Sequence, residues 1–398
     1  MPKKSVIKKN ALAPTILIAG GAGFIGSHLC ETLLQKDARV VVVDNFKTGK
    51  ENFISHLINN PKFAVYNADI SKGLPEEIES VDYIIHLAGL EEYLYSKIDI
   101  NLDSLLTNAL GTKNLLDLAN RSLAKFLLVS TIDVYQGMIS QIDLKKYFGD
   151  SAIEEKQYSQ TEAKRFAEAL VWEYYKKNNT NVRIVRVPEV FGPRMDYEST
   201  GELGRILRDV TDGHDLTIYG DGTEKQYYLY ITDAVSGILK ALFNPNTETK
   251  IYPLVDVDSY SPLEITFLIK GLANRELKVN FKPPYRELST APNIPDTSSL
   301  EDLGWDVKTS FREGVIKTLK WGGYDVNENS FKPGKLIDDL KKQKAVDFAQ
   351  KSSLTPSSVG AVSSLVDIVD SNIPEKPNML PKQPLIKSSL GGLFTKKP

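Results

Sequence analysis

The chain has very little cysteine and histidine, with one cysteine, Cys30, and four histidines in 398 residues. A single cysteine excludes an internal disulfide and a metal site built from cysteines. The histidines are scattered and show no metal-ligand spacing, so we expect no metal. Neither sign of charge is in excess, because 49 Lys and Arg face 51 Asp and Glu. That balance offers no general attraction to nucleic acid or to an anionic membrane.

Long apolar segments are also missing. No run approaches the roughly 20 apolar residues of a membrane span. The basic N-terminal stretch, 1–14, lacks the apolar core of a secretory signal. The composition, 41% hydrophobic and 25% charged, is that of a globular protein with one large or two moderate domains. We therefore expect a cytoplasmic protein that binds neither nucleic acid nor membrane.

Short β-branched runs alternate with helical patterns through the first two thirds of the chain. The runs are almost continuously apolar, which is typical of parallel strands covered on both faces. The alternation predicts a Rossmann-type, doubly wound α/β fold. The predicted strands are 15–20, 38–44, 62–69, 81–88, 124–130, 181–187 and 251–257, and the predicted helices 24–35, 102–120, 160–177 and 232–243.

The pattern divides the chain into three parts. Residues 14–187 and 228–257 form the predicted Rossmann-type domain. Residues 188–227 and 258–325, where strands and helices mix irregularly, form a smaller mixed α/β part that we call the second lobe. The tail, 329–398, is rich in Ser, Pro and Lys, and this composition predicts disorder because it buries too little apolar surface.

A glycine-rich loop, AGGAGFIGSHL (19–29), joins the first predicted strand to the first predicted helix. Its spacing is that of a dinucleotide-binding fingerprint. Gly20 allows the tight turn, Gly23 lets the backbone approach a pyrophosphate, and Gly26 lets helix and strand pack closely. The helix N-terminus then presents N–H groups and a positive dipole end to the phosphates.

An acidic residue, Asp44, ends the second predicted strand, at the distance from the glycines that this fingerprint requires. A carboxylate there accepts the ribose hydroxyls and repels a 2′-phosphate, which favours NAD over NADP. Lys47 and Lys50 stand nearby and weaken that preference.

Further motifs follow the glycine loop in a fixed order. In that order they resemble the extended short-chain dehydrogenase/reductase family, and within it the nucleotide-sugar epimerases, 4,6-dehydratases and UDP-glucuronate decarboxylases. The likeness covers 14–325 and is more specific for fold than for reaction. The motifs are VVVDNFKTGKEN (41–52), HLAG (86–89), TNALGTKNLL (107–116), VSTIDVYQ (129–136), FGPRM (191–195), TIYGDGTEKQYYLYITD (217–233) and LGW (303–305).

This resemblance implies bound NAD, a UDP- or dTDP-linked sugar in the second lobe, and lyase or isomerase chemistry. It also implies a homodimer joined through the helices at 102–120 and 160–177. The implied cofactor residues are Phe24 and Ile25 at the pyrophosphate, Asp44 and Asn45 at the adenosine ribose, Asp69 and Ile70 at the adenine, and Leu87, Ala88, Asn108 and Lys164 at the nicotinamide half.

The family's proton transfer uses a tyrosine, a lysine four residues later, and a Ser or Thr at the end of the fifth strand. Thr131 and Lys164 match the hydroxyl and the lysine, but Gln160 stands at the tyrosine position. A carboxamide cannot act as general base near neutral pH. Tyr158 is six residues before the lysine, about 240° away around a helix, so it can take over only if the helix uncoils there.

The resemblance also implies substrate contacts, and two of them are altered. Glu189 replaces an asparagine that holds the sugar nucleotide, and Gln226 replaces an arginine that holds the diphosphate, while Arg194 is kept. Two readings stay open. One is an enzyme with a rerouted proton path, in which Glu189 is a further acid/base candidate. The other is an NAD-binding regulatory or structural subunit without sugar chemistry. Such a subunit would either act alone or pair with an active relative.

Overall fold

The computed structural model describes residues 7–9, 13–89, 101–135, 156–197, 201–283 and 297–328, so the predicted tail lies outside the described residues. The strands are β1 (Thr15–Ala19), β2 (Arg39–Asp44), β3 (Phe63–Asn67), β4 (Tyr83–His86), β5 (Lys125–Thr131), β6 (Val182–Val187), β7 (Glu189–Phe191), β8 (Leu216–Tyr219), β9 (Gln226–Tyr230), β10 (Ile251–Pro253), β11 (Ser259–Tyr260) and β12 (Val279–Lys282). The helices are α1 (Phe24–Gln35), α2 (Asn101–Leu106), α3 (Thr112–Ser122), α4 (Lys156–Asn178), α5 (Glu202–Thr211), α6 (Ile231–Phe243), α7 (Pro262–Leu272), α8 (Ser298–Leu303) and α9 (Phe311–Trp321).

A seven-stranded parallel sheet in the order β10-β6-β5-β4-β1-β2-β3 forms the centre of the fold. Every residue of β1 is buried, as are five of the six in β2, because helices cover both faces. Apolar residues of α3 and α4 pack against one face, and α1 packs beside α6. The predicted Rossmann-type architecture, with its strands and long helices, is confirmed.

One irregularity interrupts the second helical pattern. Between α2 and α3 the chain forms a five-residue π-helical turn, Thr107–Gly111, which we call the π-turn. Such turns insert an extra residue and are frequent at functional sites. The π-turn buries Asn108, only 1% exposed, while Leu110 stays 46% exposed. This short turn therefore contributes one residue to the interior and another to the surface.

Two small sheets lie beside the central one. β11, β9 and β7 form the first, and β12 pairs with β8 in the second. The first carries a cluster of aromatic rings, whose centroids lie 4.2–6.5 Å apart. Its members are Phe191, Tyr228, Tyr230, Tyr260 and Phe311. We propose that these sheets, with α5 and α7–α9, are the second lobe.

A buried ion pair joins β6 to α4. Arg186 donates to both carboxylate oxygens of Glu168, at 3.0 and 2.6 Å, and its guanidinium lies 4.5 Å from the ring centroid of Tyr135.

Among the described residues, no helix has the length and apolar character required to cross a membrane.

Candidate active site

The glycine loop leaves β1 and enters α1 with the backbone geometry that the fingerprint predicts. Gly20 has φ +84°, and a Cβ on it would lie 2.8 Å from the backbone nitrogen of Ala88. A Cβ on Gly26 would lie 2.3 Å from the carbonyl oxygen of Gly20, closer than any real contact. A Cβ on Gly23 would meet only that same carbonyl, at 3.3 Å. Gly20 and Gly26 are thus required by packing, whereas a Cβ on Gly23 would have one close neighbour, the carbonyl oxygen of Gly20.

Helix α1 begins at Phe24, and no side chain caps its first turn. Phe24 and Ile25, the predicted pyrophosphate neighbours, are its first two residues. The N–H groups of an uncapped first turn need partners from outside the helix. An anionic group placed there accepts them and gains from the helix dipole.

The carboxylate of Asp44 lies at the base of the same loop. Its Oδ2 accepts from the N–H of Ala22 and its Oδ1 from the N–H of Phe46, each at 2.9 Å. Burial raises the pKa of this carboxyl, and the two backbone hydrogen bonds oppose the rise. The lysines that weaken the NAD preference are engaged elsewhere, Lys47 with Asp103 and Lys50 with Asp196.

An open cleft with a volume of about 80 Å³ runs from this loop across the ends of the strands. Ligands of doubly wound sheets bind at this edge. The predicted residues on its wall are Gly20, Gly23, Asp44, Asn45, Asp69, Ile70, Leu87 and Ala88, and those that sequence reasoning missed are Val43, Thr48, Gly49, Ala68, Gly89 and Thr107.

Lys164 and Asn108 lie next to Gly89, which lines one end of the cleft. Lys164 is 7% exposed, donates to the carbonyl of Val129 at 3.3 Å, and would lie 2.6 Å from a Cβ on Gly89. The side-chain nitrogen of Asn108 donates to the carbonyl of Ser104 at 2.9 Å. Its buried Oδ1 has no hydrogen-bond partner within the described structure.

His86 lies beneath this lysine at the end of β4. It is fully buried, and its Nε2 is 2.9 Å from the hydroxyl of Thr112. Burial first, and then the charge of Lys164, lower the pKa of His86 to about 3. The imidazole is therefore neutral near neutral pH.

Thr131, at the end of β5, has a carboxylate partner that sequence reasoning missed. Its hydroxyl donates to Oδ2 of Asp133 at 3.0 Å and accepts from the N–H of the same residue at 3.1 Å. In the sequence, an acidic residue two positions after a threonine at the end of a strand is the signal that indicates this hydrogen bond. Short polar side chains at such positions form hydrogen bonds with nearby backbone groups.

The structure places Gln160 on α4, one turn before Lys164 and partly buried. The helix begins at Lys156, so the backbone of Tyr158 is helical. The uncoiled conformation that would return Tyr158 to the site is therefore not the one observed. The side chain of Tyr158 lies outside the described part of the chain.

Two of the three predicted substrate residues lie on one small sheet. Glu189 in β7 is the register partner of Tyr228 in β9, and Gln226 is two residues earlier on that strand, so all three side chains share a face. Arg194 lies elsewhere. It donates to the hydroxyl of Ser27 at 3.1 Å and pairs with Glu31, both in α1.

The parallel sheet, the glycine loop and the acid that ends β2 define a dinucleotide-binding protein of the Rossmann class. Residues 16–254 match the model of the NAD dependent epimerase/dehydratase family, and the chain belongs to that family.

Relatives and solved structures agree. UDP-glucuronic acid decarboxylase 1 of Danio rerio is 32% identical over 308 residues, which are 77% of this chain and 72% of that protein. The Arabidopsis thaliana protein of the same name is 30% identical over 305 residues, 76% of this chain and 68% of the relative. The UDP-glucuronic acid 4-epimerase from Bacillus cereus, solved in complex with NAD, has a TM-score of 0.64 at 25% identity, covering 77% of this chain and 98% of that one.

NAD is therefore the cofactor, and the residues of the cleft fit it. The open approach at Gly23 and the uncapped first turn of α1 would hold the pyrophosphate. Asp44 would hold the adenosine ribose, and Lys164 and Asn108, beside Gly89, would hold the nicotinamide half. When bound, NAD supplies a reversible hydride acceptor.

Proposed function

We propose that this protein acts on a nucleotide-diphosphate sugar, UDP- or dTDP-linked, by transient hydride transfer to NAD, with lyase or isomerase chemistry. The observation that carries the proposal is the buried Lys164, held at the end of the cofactor cleft next to the strand that ends in Thr131. The named activities of the relatives support it, because they are sugar-nucleotide decarboxylases and epimerases.

The proton path is the part of this reaction that must differ from the family pattern. Gln160 cannot accept a proton, whereas the hydroxyl of Thr131 donates to the Asp133 carboxylate at 3.0 Å. In the proposed path, the substrate hydroxyl gives its proton to the Thr131 oxygen while the Thr131 proton moves to Asp133. A general base contributes about 10²–10⁴-fold in rate, so a less direct relay predicts slow turnover.

Self-association belongs to the same proposal. An apolar groove between α2 and α4 is lined by Leu105, Leu106, Ala109, Ala163 and Phe166, together with Glu162 and Arg165. Leu102 is 67% and Phe166 53% exposed, more than an isolated chain favours. We propose that a second copy covers this face, and that the protein resides in the cytoplasm.

The decisive experiment measures bound nucleotide and then sugar-dependent NADH absorbance with a panel of UDP- and dTDP-sugars, with product analysis. Turnover that Lys164→Met abolishes supports the proposal. Bound NAD with no conversion of any sugar would contradict it and leave the NAD-binding subunit, alone or paired with an active relative.

A second set of variants tests the relay. Asp133→Asn and Thr131→Val are each expected to lower kcat by about 100-fold or more, the lower end of what a general base contributes. Gln160→Tyr is expected to raise kcat and to make both substitutions less harmful. An unchanged rate in Asp133→Asn would overturn the relay while leaving the reaction in place.

A further inference from the structure

The loop that follows β2, residues 45–50, contributes to the wall of the cofactor cleft, and we call it the adenosine loop. Two local hydrogen bonds hold its turn. The N–H of Phe46 donates to Oδ1 of Asp44 at 2.9 Å, and the N–H of Lys47 donates to Oδ1 of Asn45 at 3.1 Å. These bonds fix the backbone of the adenosine loop beside Asp44, and the Lys47 side chain extends from it.

The side chain of Lys47 joins the adenosine loop to a second segment of the cleft. Its ammonium pairs with the carboxylate of Asp103, in the first turn of α2. Asp103 lies about one helical turn before Thr107, and positions so spaced share a face of the helix. Thr107 lines the cleft, as does Thr48, the neighbour of Lys47. The ion pair therefore connects two separate segments that both contribute to the cleft.

The charge of Lys47 also acts on a third segment of the wall. Asp69, which lines the cleft at the end of β3, has a lowered pKa. Burial raises this pKa, but the hydrogen bonds from Ser71, and then the charges of Lys72 and Lys47, lower it by more than burial raises it. The Lys47 ammonium thus interacts with two acids, Asp69 and Asp103, on different sides of the adenosine loop's own sequence.

We propose that the Lys47–Asp103 pair is a latch that holds the adenosine loop and α2 together and slows the exchange of NAD. The adenosine half of the cofactor leaves when these segments separate, and their separation breaks the pair. Both side chains are partly exposed, 45% for Lys47 and 43% for Asp103, so salt weakens the latch by screening the two charges. The latch concerns NAD alone and is independent of any reaction on a sugar.

A lysine that only attracted the cofactor would have the opposite effect. NAD carries two phosphate groups, and an ammonium without a carboxylate partner would attract them and slow the release of NAD. Removing the Asp103 charge leaves Lys47 available to the phosphates, but it also opens the latch. The two roles of Lys47 therefore predict changes of opposite sign in the rate of release.

The test is the rate at which the full-length protein, loaded with NADH, releases it on mixing with excess NAD, followed by NADH fluorescence. Asp103→Asn is expected to release NADH about two- to fivefold faster than wild type, the range that a partly exposed ion pair contributes. Lys47→Glu should release it faster still, because two acids then face each other. Combining Lys47→Glu with Asp103→Lys should return the rate close to that of wild type.

The matched control is Asp37→Asn, which breaks the exposed pair with Lys62 at the other end of β2 and should leave the rate unchanged. High salt should speed release from wild type and bring it close to the rate of Asp103→Asn. All rates are compared at one protein concentration, because α2 also lines the apolar groove.

Several results would overturn the latch. Release from Asp103→Asn at the wild-type rate would show that the pair does not restrain the cofactor, and slower release would show that Lys47 serves the phosphates. An equal acceleration in Asp37→Asn would show a general effect of charge. Release from the combined variant as fast as from Lys47→Glu would exclude the pairing, as would an equal response to salt in wild type and Asp103→Asn.

Discussion

Two alanine substitutions in the glycine loop are expected to separate the effect of a glycine on packing from its effect on NAD binding. In Gly26→Ala the new Cβ would start 2.3 Å from the carbonyl oxygen of Gly20. In Gly23→Ala it would start 3.3 Å from the same atom. The first contact needs a backbone movement of roughly 1 Å, whereas the second needs a few tenths, and overpacking of a tight core costs about 1–3 kcal/mol.

We therefore expect Gly26→Ala to lower the free energy of unfolding by about 1–3 kcal/mol and to weaken NAD binding at least tenfold, because the loop itself is displaced. Gly23→Ala is expected to change stability by less than about 0.5 kcal/mol. It should still weaken NAD binding, since its methyl group would enter the space that we expect the pyrophosphate to occupy.

Denaturant unfolding of the apo protein and calorimetric titration with NAD measure the two quantities. Gly73→Ala is the control for glycine replacement as such, since it has φ +121° and no atom within 4 Å of a Cβ. It should lose stability through backbone strain while binding NAD normally. Equal NAD affinity in Gly23→Ala and wild type would refute the assignment of Gly23 to the pyrophosphate.

Three further predictions concern stability and association. Glu168→Gln should cost about 3 kcal/mol in denaturant unfolding, because it leaves the partly buried Arg186 without its charged partner, whereas Glu173→Gln in the exposed pair with Lys176 should cost under about 0.5 kcal/mol. The folded pKa of His86 lies below its unfolded value, so the free energy of unfolding should decrease as pH falls below about 6.5, by about 2 kcal/mol at pH 5. The decrease should be smaller in His86→Asn. An NMR titration that gives a pKa near 6 for His86 would contradict this. Leu106→Asp and Phe166→Asp should yield monomers in sedimentation experiments, whereas Ile58→Asp, at a similarly exposed site, should not, and a wild-type monomer would exclude the proposed dimer.

Local patterns in the sequence were enough to predict the sheet, the long helices and the cofactor cleft. The glycine spacing, Asp44 and the family position of Lys164 each rest on neighbours within one strand–turn–helix unit. Other features of the site depend on contacts that no local period records. Gly89 meets Lys164 only after α4 packs across β4 and β5, and Gly201 meets Glu189 only after α5 folds back onto β7. The π-turn has no compositional signal, since its residues also fit an α-helix.

The structure changed little in the interpretation of Gln160. Its position one turn before Lys164 was predicted from spacing, and the structure places it there. What spacing alone did not supply was the hydrogen bond between Thr131 and Asp133, because both residues have ordinary roles at strand ends. The replacement route for the proton is a hypothesis that only the folded geometry suggested.

The π-turn would link the proposed self-association to the binding of NAD. It contributes the buried Asn108 to the cofactor cleft and the exposed Leu110 to the surface beside the apolar groove, within three consecutive residues. If subunit association shifts this turn, the affinity for NAD must change by the same factor as NAD changes the affinity between subunits, because linkage is reciprocal. Subunit concentration would then act as an effector of cofactor occupancy.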